Sequence, residues 1–140
     1  MTHRLGETNK GPGMGLDATS RPLVALSAAL AARDGEALKR AMTGCVEAGA
    51  SGGAEEVILQ SYLFLGYPVA LNAFGLWREV SGRDGGEGVP DDWEMWMERG
   101  EAVCRTVYGG QYQGLRRNVR ALHPDMERWM VVEGYGKVLG

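Results

Sequence analysis

The sequence predicts an all-α domain, because helical periodicity, helix caps and glycine-rich breaks follow one another along most of the chain. Between the breaks, apolar residues recur three and four positions apart, and no segment keeps the period of two that a strand requires. Eleven of the 22 glycines lie in three clusters, near residues 6–15, 49–53 and 82–88. These clusters divide the chain into about six predicted helices.

The first two predicted helices have recognisable ends. The pair Thr19-Ser20 is a favourable N-cap for the first helix, which continues to about Arg33. Asp34 is placed to cap the second helix. Gly49 is placed to end that helix in the left-handed conformation that glycine adopts without strain.

The third predicted helix is the most apolar segment of the chain. It begins at Ala54 and continues to about Val80. Because Pro68 lacks a backbone N–H donor, we expect this helix to kink, or to be restarted, near Gly66. Apolar residues on every side predict burial on every side, which in a small chain implies that other subunits help to cover it.

Signals for the remaining elements come in chain order: a polar loop over 81–90, an Asp91-Asp92 cap, a Gly109-Gly110 break, and Pro124-Asp125 opening the last helix. They predict a fourth helix, a fifth over about 111–122 and a sixth ending near Val138. The expected organisation is a loosely ordered tail over 1–18 and one helical domain over 19–140.

Composition excludes several classes of function. A net charge of −3 over 140 residues gives no electrostatic reason to expect nucleic acid or an anionic membrane as a partner. The apolar stretch 57–77 carries Gln60, Pro68 and Asn72, which are unfavourable in lipid. The N-terminal residues lack the apolar core of a signal peptide, and the cysteines show no disulfide pattern, so we expect a cytoplasmic protein. With two histidines, a metal site is not expected, nor is a cofactor.

The segment EEVILQSYLFLGYPVALNAF (55–74) resembles the carboxymuconolactone decarboxylase and alkylhydroperoxidase D superfamily. The shared pattern is an acidic pair, an apolar run, and glycine, aromatic and proline at a helix kink. The preceding CVEAGAS (45–51) is similar to the family's lead into that helix. The resemblance implies a helical bundle of about six helices of the alkylhydroperoxidase D type, with a long central helix kinked at proline, and a homo-oligomer (dimer, trimer or hexamer).

Two later segments resemble other parts of the family. RGEAVCRTVYG (99–109) is similar to the opening of the lactone decarboxylases, and MERWMVVEGYGKVLG (126–140) is similar to the helix that leads into their core unit. In this chain the core unit comes first and the leading helices come second. This order is expected of half a tandem protein, or of a subunit completed by a second chain of the family.

The peroxidase branch of the superfamily uses a C-x-x-C pair, a histidine and a glutamate, because a reactive thiolate, a resolving thiol and a proton relay are all needed. The matching positions here hold Asp34, Ala37, Ala41 and Pro22. The resemblance therefore implies a family member that cannot use this redox mechanism.

Candidate site residues come from the resemblance and from residue type. Glu133 stands near the position of a histidine in the lactone decarboxylases, and Tyr135 matches a neighbouring aromatic, so both are candidate catalytic residues. Tyr67 and Arg117 are candidate substrate-binding residues, the arginine because a guanidinium binds a carboxylate well. The ordinary alternatives are solvated or ion-paired charges and aromatic residues that belong to a core or an interface.

Three functions follow from these residues. The first is a degenerate oligomeric subunit or scaffold. The second is a cofactor-free lyase that transfers a proton on a small carboxylated substrate, with Glu133 and Tyr135 near the pocket. The third, ranked behind both, is a thiol-dependent enzyme that uses Cys45, for which the alternative is an inert core cysteine.

Overall fold

The computed structural model describes residues 15–88, 90 and 92–140, and every regular element within them is helical. The all-α prediction is confirmed. The elements are α1 (Ser20–Ala32), α2 (Gly35–Glu47), α3 (Ser51–Leu65), α4 (Tyr67–Ser81), α5 (Trp93–Tyr108), a 3₁₀ turn (Gly109–Gln111), α6 (Tyr112–Leu122) and α7 (Pro124–Trp129), continued by a π-helical segment (Met130–Val138). None of the described helices has the length and hydropathy of a membrane-spanning segment.

Helices α1 to α4 form a first unit with its own core. Leu26 of α1, Ile58 of α3 and Trp77 of α4 are almost completely buried and belong to one cluster of core side chains. The Trp77 indole N–H also donates to Glu55 Oε1 at 3.2 Å, so the ring is held at one end by a polar contact. Side chains of all four helices supply this core, as a helix bundle requires.

The predicted central helix is two helices. Gly66, with φ of +86°, ends α3 and precedes α4, a conformation that a glycine adopts easily. Contacts from Glu55 near the start of α3 to Trp77 and Arg83 around the end of α4 show that the chain turns back on itself. The prediction of one long kinked helix is therefore wrong. A new helix begins after Gly66, which was the alternative prediction, because Gly66 and Pro68 together interrupt the hydrogen-bond ladder.

Burial of this region is one-sided. Ala54 and Ile58 on α3 and Ala73 on α4 face the core, whereas Phe64 and Leu71 are largely exposed. Within the chain, the expectation of burial on every side is wrong. The other helices of the chain therefore leave several apolar residues of α3 and α4 uncovered.

Helix α5 and the π segment form the centre of a second unit, and their backbones touch. A Cβ on Gly100 would overlap the Val131 carbonyl oxygen, and a Cβ on Gly136 would overlap the Trp96 carbonyl oxygen. The side chain of Arg99 donates from Nε to the Gly136 carbonyl oxygen. The two glycines thus permit an approach that no larger residue would allow.

Helix ends agree with the sequence at some positions and differ at others. Asp34 and Asp92 cap α2 and α5 with their carboxylates, and Gly49 is left-handed, as predicted. The predicted Thr19-Ser20 cap is wrong: Asp17 accepts from the Ser20 N–H at 2.6 Å, because Thr19 already has helical backbone angles. Most of the predicted N-terminal tail lies outside the described residues.

Helix α3 begins three residues before the predicted start. Gly52 and Gly53 lie in its first turn rather than in the break. A Cβ on Gly53 would come within 2.9 Å of Leu23 Cδ1, so this glycine allows α1 and α3 to pack closely. The cluster of glycines at 49–53 therefore has two roles, a turn at Gly49 and a helix contact at Gly53.

Candidate functional site

The two units meet where Tyr62 of α3 faces Glu133 of the π segment. The Tyr62 hydroxyl donates to Glu133 Oε1 at 3.0 Å, and both side chains are half-buried. Tyr67, just after the Gly66 turn, stacks on the Tyr62 ring with centroids 4.9 Å apart. Two predicted site residues, Glu133 and Tyr67, are therefore brought together by a third residue.

Lys137 completes this group, which we call the Tyr62 junction (Tyr62, Tyr67, Trp96, Glu133 and Lys137). Its ammonium nitrogen lies 5.7 Å from the Tyr62 ring centroid and 5.3 Å from that of Trp96. Both distances are in the range of favourable cation–π contacts. A carboxylate, an ammonium group and a second phenol ring thus all contact Tyr62 at the seam where the two units meet.

The surroundings of Tyr62 keep its proton in place. Burial raises the pKa of the Tyr62 hydroxyl, and the hydrogen bond to Glu133 and the charge of that carboxylate raise it further. A phenol with a raised pKa is a hydrogen-bond donor rather than a base at neutral pH. The chemistry available here is therefore a neutral donor paired with a carboxylate acceptor, an arrangement that can orient a ligand or relay a proton.

Tyr135 does not belong to this junction. Its hydroxyl lies 2.5 Å from the Tyr108 hydroxyl of α5, and the two rings meet edge to face with centroids 5.9 Å apart. The hydrogen bond with Tyr108 and burial raise the pKa of Tyr135 to about 12. Glu133 and Tyr135 are two residues apart and contact different elements, so the predicted catalytic pair is not a pair in space.

Arg117 is also separate from the junction, on the exposed side of α6. Its neighbour Arg116 is the engaged arginine: Nε donates to Glu127 Oε1 at 2.5 Å and Nη1 to Glu101 Oε1 at 3.2 Å. The Glu127 side chain is only 7% exposed, so Arg116 neutralises a nearly buried carboxylate. The ordinary interpretation of the arginines on α6, ion pairing within the fold, thus describes Arg116.

An open cavity of about 320 Å³ lies beside this ion pair. Its lining combines the arginines Arg116, Arg120 and Arg128 with two acids and the apolar residues Met97, Pro124 and Val131. Arg128 is already engaged, with Nη2 3.3 Å from Asp125 Oδ1 and its guanidinium over the Trp93 ring. The charged side chains that line this cavity are therefore already paired with one another.

Both thiols are core groups. Cys45 and Cys104 have no exposed surface, and burial raises the pKa of each. A reactive cysteine requires an accessible thiol whose pKa is lowered. The local structure therefore argues against a thiol-dependent mechanism at Cys45. Within the described ranges, no three His, Cys, Asp or Glu side chains are grouped as metal ligands would be.

Sequence reasoning missed Tyr62 and Lys137. Lys137 lies four residues after Glu133, a spacing that places two helical side chains on one face, and this was a usable signal. Tyr62 carried no such signal, because its partner is 71 residues away along the chain. Only the packing of α3 against the π segment brings them together.

Comparisons of the chain with models of protein families, with curated proteins and with solved structures gave no match.

Proposed function

We propose that the chain is a non-redox subunit of a helical assembly of the carboxymuconolactone decarboxylase and alkylhydroperoxidase D type, and that its α3–α4 face binds a second copy of the chain. This apolar face consists of Leu59 and Leu63 of α3 and Tyr67 and Leu71 of α4, whereas Phe64 lies on the side of α3 that borders α1. The exposure of this face is the observation that carries the proposal.

The size of the apolar face supports binding of a protein surface. Leu71 is 65% exposed and Tyr67 61% exposed, although both lie in the segment predicted to be buried on every side. If a fully exposed large apolar side chain offers roughly 200 Å², the four residues present about 430 Å². That is within the range of the largest patch of a typical monomer and about half of the ~800 Å² that one partner buries in a standard interface.

The arrangement of the face favours a second copy. Leu59 and Leu63 are four residues apart on α3, as are Tyr67 and Leu71 on α4, so each helix presents a ridge of the same kind on either side of Gly66. A face made of two similar ridges suits self-complementary packing around a twofold axis, the commonest symmetry of homo-oligomers.

Size-exclusion chromatography with light scattering tests this assignment. The wild-type chain should have the mass of a dimer or higher oligomer at micromolar concentration, and Leu59→Glu/Leu71→Glu should have the mass of a monomer with unchanged helix content. Leu122→Glu is the matched control, because Leu122 is 83% exposed but lies outside the face. A wild-type monomer would refute self-association, and dissociation by the control alone would refute the assignment of this face. A mass that requires a second polypeptide would identify a hetero-oligomer instead.

One observation favours a second candidate function, proton transfer on a small carboxylated substrate. The Glu133 carboxylate accepts from Tyr62 beside Lys137, so an acceptor, a donor and a cation converge at the seam. Glu133→Gln should then reduce turnover by about 10²–10⁴-fold on the active members of a panel of carboxylated lactones and oxo acids. Glu98→Gln, at an exposed position of α5, is the control. Equal turnover by wild type and Glu133→Gln on an active substrate would exclude this role.

A further inference from the structure

Among the described residues, the buried apolar side chains form two hydrophobic cores that share no residue. The first lies among α1 to α4 around Leu26 and Ile58, and the second lies among α5, α6 and the π segment around Tyr112 and Val131. Burial of apolar surface is the main favourable contribution to folding. Each unit therefore has its own source of stability, which does not depend on contact with the other.

The contact between the units is narrow. Among the described elements, only α3 of the first unit and the π segment of the second bring their backbones close together at several residues. Between residues 15–81 and 93–140, the described side chains form a single hydrogen bond, from Tyr62 to Glu133. Lys137 adds its cation–π contact to the same ring. One tyrosine thus makes every polar contact found across the seam.

The connection between the units has side-chain contacts at each of its two ends. Arg83 pairs with Glu55 at 2.6 Å and Asp84 with Arg78 at 2.8 Å, which fixes the beginning to the first unit. Asp92 caps α5 in the second. Between these ends, Gly85, Gly86 and Gly88 are exposed, with open space where a Cβ would lie. The seven residues between Asp84 and Asp92 can span about 25 Å.

We propose that residues 93–140 form a hinged arm, which closes on α3 through Tyr62 and opens about the Gly85–Gly88 segment. In the closed state, Tyr62 holds Glu133 and Lys137 against α3. In the open state, these three side chains become accessible at once. The device shares Tyr67 with the α3–α4 face but requires no second copy of the chain.

Single-molecule energy transfer in the full chain measures the opening directly. Fluorophores on Lys39→Cys and Gln113→Cys, both at exposed positions, report the separation of α2 and α6, while the native cysteines are protected by burial. Tyr62→Ala should increase the open population about tenfold or more, the effect of losing a hydrogen bond to a charged group. Gln60→Ala, which removes a side chain bonded to Glu56 within α3, should leave it unchanged. One narrow distance in Tyr62→Ala with native circular dichroism would overturn the hinge.

A second measurement covers the case in which Tyr62→Ala disturbs folding. Gly100→Ala should disrupt the α5–π contact. Hydrogen exchange followed by mass spectrometry should then show lost protection in α5 and the π segment and retained protection in α1 to α4. Loss of protection across all helices at once would show that the chain is one cooperative unit, and the proposal would fail.

Discussion

The two units bury their cores in opposite ways. In the first unit, large side chains such as Leu26, Ile58 and Trp77 interlock between helices. In the second, Gly100 and Gly136 bring two backbones into contact, and few large side chains separate them. The first core is therefore sensitive to the removal of atoms and the second to their addition, because a side-chain core fails by leaving cavities and a backbone contact fails by overlap.

The largest effect should come from adding one methyl group to the second unit. Gly136→Ala places a Cβ on the Trp96 carbonyl oxygen, and a backbone cannot rotate away as a side chain can. We expect a loss of more than about 3 kcal/mol in the free energy of unfolding of this unit, measured in urea by tryptophan fluorescence.

Gly134→Ala is the matched control, since it lies in the same π segment with open space at its Cβ. It should be neutral or stabilising by about 0.5 kcal/mol. Equal effects at Gly134 and Gly136 would mean that backbone contact does not define the second core.

The converse change in the first unit should cost about 3 kcal/mol. Leu26→Ala removes a side chain with no exposed surface and leaves a cavity among α1 to α4. Val24→Ala on the same helix, at a position that is 54% exposed, should change the free energy of unfolding by less than about 0.5 kcal/mol. Chemical denaturation followed by circular dichroism measures both, and a small effect of Leu26→Ala would contradict a side-chain core.

A smaller effect distinguishes the charges of the second unit. Arg116→Gln removes the closest partner of the nearly buried Glu127. Breaking a fully buried pair costs 3–5 kcal/mol, but the Arg116 side chain is 30% exposed and Arg120 lies 3.9 Å from the same carboxylate, so we expect about 1–2 kcal/mol. Arg117→Gln should change stability by less than about 0.5 kcal/mol. Equal losses at the two positions would mean that Arg117 has a structural partner.

The smallest effect is a pH dependence specific to the second unit. Folding raises the pKa of Tyr135 from about 10 to about 12, so the folded chain keeps a proton that the unfolded chain loses. The corresponding stability is complete below pH 10 and is lost as the pH rises toward 12, by about 1 kcal/mol at pH 11. Tyr135→Phe should flatten the decline of unfolding free energy between pH 9.5 and 11, although Tyr62 retains a dependence of the same sign. An unchanged slope would refute the pairing with Tyr108.

Local signals in the sequence predicted most helix ends. Asp34, Gly49 and Asp92 act within one turn of the chain, so their effect can be recognised from neighbouring residues alone. At Gly66 the sequence predicted an interruption of the helix but not its reversal. Whether a helix bends or reverses depends on what its two halves can pack against. Here α4 packs back along α3, and the hydrogen bond from Trp77 to Glu55 joins the end of α4 to the start of α3.

The candidate site was predictable only in part. Glu133 and Tyr67 were selected by resemblance, and the structure places them in one group, but Tyr135 and Arg117 lie elsewhere. The choice of Arg117 over Arg116 could not be corrected from sequence, because adjacent residues on a helix face directions about 100° apart and the position of Glu127 was unknown.

By itself, the sequence determined the helical class, the order of the elements and the ends at which a cap or a glycine acts. The tertiary structure alone decided that the apolar centre is a hairpin with an exposed face, that the chain has two cores, and that Tyr62 joins them. The reason is range: caps and periodicity are interactions between residues within one or two turns, whereas the contact of Tyr62 with Glu133 and of Gly136 with Trp96 depends on how whole helices pack.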